Sequence, residues 1–332
     1  MSEAKENRGL VAFAVVAFGL PLVSMLPLWL CHRAGSPTDV FAGAQMYYPA
    51  AGTALALLLT KKDDPNLPRG LFIGYAVCAM LAIVPCVGQL AAPQAADWDL
   101  ISNFVYILTS LAVWVLLAVS GKGRRAAYGL QWKNGLKSLG LIALFVLLTT
   151  VKTAAAAAAA GQAGEMIAYF KTAVLWIILA SLAPSFFLSF LPFWGEEYGW
   201  RYYLQPILQR RFGRRGGVLV LGLLWGLWHM PLNLFFYSPD TALQSVACQL
   251  IGCTALAIYF AYAIMKTGNI WTAVVLHYLN NNLIVVFTGS ADISNQIIGW
   301  GDVLLSLVIY SVLFLPFLAA KEFRSSAFQE KQ

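Results

Sequence analysis

The chain alternates between long apolar runs and short polar connections along its whole length. Most of the runs reach the roughly 20 residues that a helix needs to cross a bilayer. The ten runs are residues 9–31, 40–60, 70–92, 100–121, 138–151, 172–195, 216–239, 241–265, 267–289 and 303–320. Because lipid offers the backbone no hydrogen-bond partners and an open sheet leaves its edges unpaired, the runs are predicted to be helices. The expected fold is all-α and polytopic.

The middle of the chain leaves the number of spans between eight and ten. The run 138–151 is short and continues into seven consecutive alanines at 154–160. Pro184 and Pro192 interrupt the next run, and proline breaks a helix interior. A separate helix, partly inside the membrane, is therefore expected from about 191 to 209.

Composition supports a membrane protein. Of the 332 residues, 60% are hydrophobic and 11% are charged, whereas a soluble domain is nearer half apolar and a quarter charged. The net charge of +7 comes from basic residues in the short connections, which is typical of orientation signals that face anionic lipid. Membrane lipid is a predicted partner and nucleic acid is not.

The basic residues also predict an orientation. With ten spans and a cytoplasmic N-terminus, all of the 22 Lys and Arg residues except Arg33, Lys152 and Lys171 fall on the cytoplasmic side. Cytoplasmic loops are enriched in these residues, so both termini are predicted to be cytoplasmic and 321–332 to be a cytoplasmic tail. A bacterial plasma membrane is the expected location.

Two adjacent carboxylates and an arginine stand between stretches of the chain that have no charged residue. Glu197 and Arg201 are one helical turn apart and can pair on one face. Glu196 lies about 100° further round the helix, so the same arginine cannot easily neutralise both acids. Glu196 is left without a partner in surroundings that oppose its ionisation.

Two histidines and an asparagine add to this group. His229 and His277 lie deep inside apolar runs, and Asn281 follows His277 by one turn on the same face. Each residue alone is commonly an interhelical hydrogen-bond partner. Together with Glu196 they supply a base, a group that orients water, and oxyanion donors, which suffice for hydrolysis.

Three spaced motifs carry a resemblance to a known family. They are E-E-x-x-x-R at Glu196, Glu197 and Arg201, an aromatic-x-x-x-H at Trp225 and His229, and H-x-x-x-N at His277 and Asn281. In this order they resemble the CPBP (Abi) family of intramembrane proteases, which includes the type II CAAX prenyl endopeptidases and bacteriocin-processing or immunity proteins. The resemblance covers roughly 170–290. Trp225 stands where phenylalanine is usual, interpreted as a packing variation, and Tyr202 stands where glycine is common.

The resemblance implies a protease core at 166–320 and leaves 1–165 as a transmembrane region of unknown role. It implies that Glu196 activates a water, that His229 helps to hold it, and that His277 and Asn281 donate to the oxyanion. Glu197 and Arg201 would support the site. The implied substrate is a membrane-associated peptide, whether prenylated, leader-type or hydrophobic, and the cavity is expected to open to the cytoplasm.

Three alternatives stay open. Glu196, His229 and His277 could bind zinc as a two-histidine, one-carboxylate site, although Asn281 suits an oxyanion donor better than a zinc ligand, which favours a site without a cofactor. A non-catalytic immunity or assembly partner could retain the fold. A transporter could use the buried groups as a proton relay, but this predicts paired half-repeats, and no convincing repeat is seen.

Overall fold

The computed structural model describes residues 3–290 and 292–324, and every regular element in that part is helical, which confirms the all-α prediction. The predicted tail lies outside the described residues from 325 onward. The α-helices are α1 (Glu3–Ala17), α2 (Gly19–Arg33), α3 (Asp39–Gln45), α4 (Tyr48–Thr60), α5 (Arg69–Ala91), α6 (Trp98–Val119), α7 (Lys122–Ala127), α8 (Gly135–Ala159), α9 (Ala163–Tyr169), α10 (Ala173–Ser189), α11 (Leu191–Glu197), α12 (Gln205–Trp228), α13 (Met230–Leu232), α14 (Ala242–Thr267), α15 (Ile270–Thr288) and α16 (Trp300–Phe314). Two π-helices, Tyr198–Leu204 and Asn233–Tyr237, and three short 3₁₀ turns complete the set.

The described part of the chain contains eight helices that are long and apolar enough to cross a membrane. A ninth is obtained if α9 and α10, which meet at 73°, form one bent span. The prediction of a polytopic membrane protein with eight to ten spans is therefore confirmed.

The run 40–60 is not the continuous helix that its hydropathy predicts. The helix breaks after Gln45 and restarts at Tyr48. Pro49 occupies the first turn of the new helix, where its missing N–H would have no intrahelical acceptor. Both halves pack against α5, so the segment stays within the bundle as two short helices.

The uncertain middle of the chain forms several separate helices, from α8 to the start of α12. The alanine tail extends α8 to 25 residues, because alanine has the highest helix propensity. The polar motif begins a helix of its own at Leu191, as predicted, with Pro192 in its first turn.

A kink at Gly213 then turns the chain back on itself. Its backbone has φ 72° and ψ 167°, a conformation that glycine adopts far more readily than other residues. A Cβ at Gly217 would lie 2.5 Å from the backbone nitrogen of Gln209, so the two arms of α12 approach closely just after the kink. This turn brings the Glu196 arm and the His229 arm into one region of the bundle.

The connections assigned to the cytoplasm meet on one face of the molecule. Side chains of the kink region contact the N-terminal helix and the segment after α16. That segment contacts the end of α14, which in turn contacts the start of α8. The contacts are Arg210–Glu6 (3.0 Å), Arg211–Asn7 (3.1 Å), Arg215 to the Leu318 carbonyl (3.0 Å), Lys266–Glu322 (3.9 Å) and Asn134 to the Thr267 carbonyl (2.7 Å). We call this the basic face.

The basic face is predicted to be cytoplasmic, because basic connections are retained on that side of the membrane. Single cysteines placed at the exposed positions Asn66 and Asp97, before and after α5, should react with a membrane-impermeant thiol reagent from opposite sides. In intact cells the Asp97→Cys variant should be labelled and the Asn66→Cys variant should not. The reverse pattern would show that the orientation is inverted.

Candidate active site

Two glycines bring the polar motif into backbone contact with the broken segment α3–α4. A Cβ at Gly195 would lie 2.5 Å from the Met46 carbonyl oxygen, and a Cβ at Gly199 would lie 2.3 Å from Cβ of Pro49. Small residues four apart allow such close helix packing in membranes. The motif therefore sits against the N-terminal half of the chain, whose division from 166–320 stays a prediction.

The first π-helix begins directly after the two acids. A π-helix is wider than an α-helix, is rare, and frequently occurs at functional sites. Each acid contacts the side chain four residues later: Trp200 donates to Glu196 over 3.2 Å and Arg201 donates to Glu197 over 2.9 Å. Both carboxylates are buried, at 1% and 0% exposure.

Glu197 connects two buried groups. One of its oxygens accepts from Nε of Arg201 at 2.9 Å, as predicted, and the other accepts from Nδ1 of His277 at 2.9 Å. The His277 contact joins positions 80 residues apart, and sequence spacing gave no signal for it. Because a carboxylate only accepts, Nδ1 of His277 carries a hydrogen.

Arg201 is buried against aromatic rings. Its guanidinium carbon lies 4.9 Å from the centre of the Trp225 ring and 5.3 Å from that of Phe260. Ring faces attract cations, so these contacts offset part of the cost of removing the guanidinium from water. The ion pair with Glu197 supplies its counter-charge.

Glu196 forms no ion pair with a lysine or arginine among the described residues, in agreement with the prediction. One of its oxygens accepts from the indole nitrogen of Trp225 at 2.6 Å and from that of Trp200 at 3.2 Å. The interpretation of Trp225 as a packing variation is therefore wrong, because phenylalanine has no N–H to donate. Both indoles donate to Oε2 of Glu196, so Oε1 can accept a hydrogen bond from another group.

His229 lies directly after α12 and is fixed by the backbone. Its Nδ1 is 2.8 Å from the Trp225 carbonyl oxygen, which can only accept, so Nδ1 carries the hydrogen and Nε2 of the neutral ring has a free lone pair. Asn233 donates to the His229 carbonyl at 2.9 Å, and Ser245 donates to the Asn233 side-chain oxygen at 2.6 Å. The sequence did not single out these two supports.

One cavity of about 440 Å³ is lined by all four residues that the sequence nominated: Glu196, His229, His277 and Asn281. Its size falls within the range of small-molecule pockets. Asn281 is exposed and accepts from Asn280 at 3.0 Å. The predicted convergence of these side chains is observed, while their catalytic roles stay predictions.

The segment between α15 and α16 forms another wall of this cavity. Ile293, Gln296 and Ile298 line it, and the segment is tied to the second π-helix and the residues after it by hydrogen bonds. These are Gln296 N–H to the Tyr237 carbonyl (2.7 Å), Ser238 hydroxyl to the Gln296 carbonyl (2.5 Å) and Ile298 N–H to the Thr241 hydroxyl (2.9 Å). The wall lies at the opposite ends of α15 and α16 from the basic face.

The side chains do not form a metal site as they stand. Within residues 3–290 and 292–324 no three His, Cys, Asp or Glu side chains are placed to hold one ion. Of the three possible zinc ligands, Glu196 has one oxygen occupied by two indoles, and each histidine has its Nδ1 occupied by a hydrogen bond.

The comparisons with known proteins agree with the motifs. Residues 178–283 match the model of the family described as type II CAAX prenyl endopeptidase Rce1-like. The matched segment covers about a third of the chain. It contains both carboxylates, Arg201, both buried histidines and Asn281, so the resemblance to the CPBP family is confirmed.

One curated relative matches over a segment of similar length. It is "CAAX prenyl protease 2" of Methanococcus maripaludis, 28% identical over 124 residues. The match spans 36% of this chain and 46% of the relative, so it covers less than half of the relative's length. No solved structure matches the chain.

The close approach at Gly195 predicts a sharp response to one methyl group. Gly195→Ala should destabilise the fold by about 1–3 kcal/mol, because the new carbon meets a backbone oxygen that cannot move freely. The measurement is thermal unfolding of the purified protein in detergent. Gly140→Ala is the matched control, because nothing lies within 4 Å of its added carbon. Equal melting temperatures for the two variants would refute the close contact between Gly195 and the Met46 carbonyl.

Proposed function

We propose that this integral membrane protein is an endopeptidase that hydrolyses a peptide bond within the membrane. The observation that carries the proposal is that Glu196, buried and not paired with an arginine or lysine, shares a cavity with His229, His277 and Asn281. A carboxylate in this position is a general base if a water reaches Oε1. The Rce1-like identity of the segment supports the same activity.

In the first step Glu196 removes a proton from the water while the water oxygen bonds to the peptide carbonyl carbon. The carbonyl electron pair moves to its oxygen and forms a tetrahedral oxyanion. Trp200 and Trp225 hold the carboxylate in a fixed orientation, and the Nε2 lone pair of His229 accepts a hydrogen bond from the water. Fixing these groups before reaction lowers the entropic cost of the step.

His277 and Asn281 donate hydrogen bonds to the oxyanion. Because Nδ1 of His277 already donates to Glu197, donation from Nε2 requires both ring nitrogens to carry hydrogen, and the ring is then cationic. Glu196 and Glu197 together carry two negative charges, and Arg201 and His277 carry two positive charges. This balance removes the net charge that would be most costly to bury.

In the second step the tetrahedral intermediate collapses. The carbonyl re-forms, the carbon–nitrogen bond breaks, and the proton held by Glu196 passes to the leaving nitrogen. The products are a carboxylic acid and an amine, the acid proton passes to the amine to give a carboxylate and an ammonium, and Glu196 is again ionised. No group beyond the peptide and one water is consumed.

The name of the curated relative makes a prenylated peptide the first substrate to test. A leader-type peptide and an unmodified hydrophobic peptide are the other candidates. We place the protein in a bacterial plasma membrane with the basic face in the cytoplasm. We do not expect the cavity to open on that face, because Ile293, Gln296 and Ile298 wall it at the opposite ends of α15 and α16. The orientation rests on the basic face.

Glu196→Gln should lower the cleavage rate by about 10²–10⁴-fold, the usual contribution of a general base. The amide keeps the shape and can still accept from the indoles, but it cannot take a proton from water. The assay is cleavage of the prenylated peptide by purified protein in lipid nanodiscs. Glu165→Gln, the same change at an exposed site in α9, should retain full activity. A folded Glu196→Gln variant with undiminished cleavage would favour the non-catalytic partner instead.

Removal of divalent metal should leave the activity unchanged, because the proposed steps use only side chains and water. The test is cleavage after dialysis against a strong chelator, with metal content measured in the same sample. Loss of activity that zinc restores would establish the zinc alternative at Glu196, His229 and His277.

A further inference from the structure

Lys152 is a cation without an acidic partner in a membrane-spanning helix. It lies in α8, and its ammonium contacts Tyr310 of α16, at 3.2 Å from the hydroxyl and 5.1 Å from the ring centre. Among residues 3–290 and 292–324 no carboxylate forms an ion pair with it. A charged side chain within a span is costly and points to a functional role.

Tyr310 connects this cation to the catalytic cavity. Tyr310 and Ser306 line the cavity from α16, and Gly252 and Cys253 line it from α14. A Cβ at Gly252 would lie 3.6 Å from the Tyr310 hydroxyl. The next residue, Cys253, has its sulfur 3.9 Å from Nδ1 of His229. Adjacent residues of α14 therefore separate the Lys152–Tyr310 pair from the proposed hydrolytic groups.

We propose that Lys152 and Tyr310 bind the C-terminal carboxylate of the peptide, an inference that rests on the proposed protease activity. A free C-terminus carries a full negative charge at neutral pH, and an ammonium with a hydroxyl beside it supplies donors for a carboxylate. Ile293, Gln296 and Ile298 wall the cavity of about 440 Å³ on one side. Both residues lie outside the Rce1-like segment 178–283, so this recognition belongs to the flanking helices.

The test compares one prenylated peptide with a free C-terminal acid or a C-terminal amide. In nanodiscs of zwitterionic lipid, wild-type protein should cleave the acid with a kcat/KM at least about tenfold above that of the amide, the effect of losing one charge-assisted hydrogen bond. Lys152→Met should lower the kcat/KM for the acid peptide to that for the amide peptide, and should leave the kcat/KM for the amide peptide unchanged. Lys152→Arg should retain part of the preference. Lys171→Met, a change at an exposed lysine, should retain all of it.

Binding of the same two peptides, followed by the anisotropy of an attached fluorophore, gives a readout that needs no cleavage. If no cleavage occurs but wild-type protein still prefers the acid and Lys152→Met does not, the proposed protease activity fails and the carboxylate site stands. If both peptides are cleaved and bound equally by wild-type protein, or if Lys152→Met weakens both equally, the site is refuted and the protease stands.

Anionic lipid is the other source of a negative group for Lys152. The acid-to-amide ratio is therefore also measured in nanodiscs with and without phosphatidylglycerol. A rate that depends on this lipid in wild-type protein but not in Lys152→Met, with an acid-to-amide ratio of one in both, would overturn the peptide site and assign the lysine to lipid.

Discussion

Burial of charge is the constraint on which the rest of this structure depends. Glu197 is fully buried and holds Arg201 on one oxygen and His277 on the other. Removing either partner would leave a charge in a region of low polarity, which is far more costly than breaking a surface ion pair. The bridge thus ties the first π-helix to α15 and fixes the position of the imidazole. It also leaves Glu196 free of any arginine and available to a water.

The helices around this bridge are interrupted where the site requires it. The break after Gln45, the close approaches at Gly195 and Gly199, and the kink at Gly213 each depend on glycine or on proline in a first turn. An uninterrupted helix presents one face to the bundle, whereas these breaks let backbone approach backbone and turn side chains into a common cavity. Irregular backbone within a membrane is tolerated only where protein or a water-filled cavity surrounds it, which fits the buried position of these segments.

Much of the fold was predictable because hydropathy and span length dominate a membrane sequence. The start of the motif helix at Leu191 followed from the prolines that interrupt the run. The Glu197–Arg201 pair and the isolation of Glu196 followed from helical spacing. The break in 40–60 was missed, since Pro49 in an apolar run is compatible with either a kink or a restart. The contact between Glu197 and His277 was missed because nothing local links residues on different helices. The donor role of Trp225 was also missed, although its N–H was a signal that distinguishes tryptophan from phenylalanine.

The charge state of His277 tests this account most directly. The other two histidines, His32 and His229, are substituted, and the remaining histidine is labelled with ¹⁵N. Solid-state ¹⁵N NMR of this protein in bilayers at neutral pH then reports whether each ring nitrogen of His277 carries hydrogen. The account predicts that both nitrogens of His277 carry hydrogen, and that Glu197→Gln converts the ring to the neutral form. A neutral His277 ring in the unsubstituted Glu197 background would contradict it, because the buried carboxylates would then lack their second counter-charge.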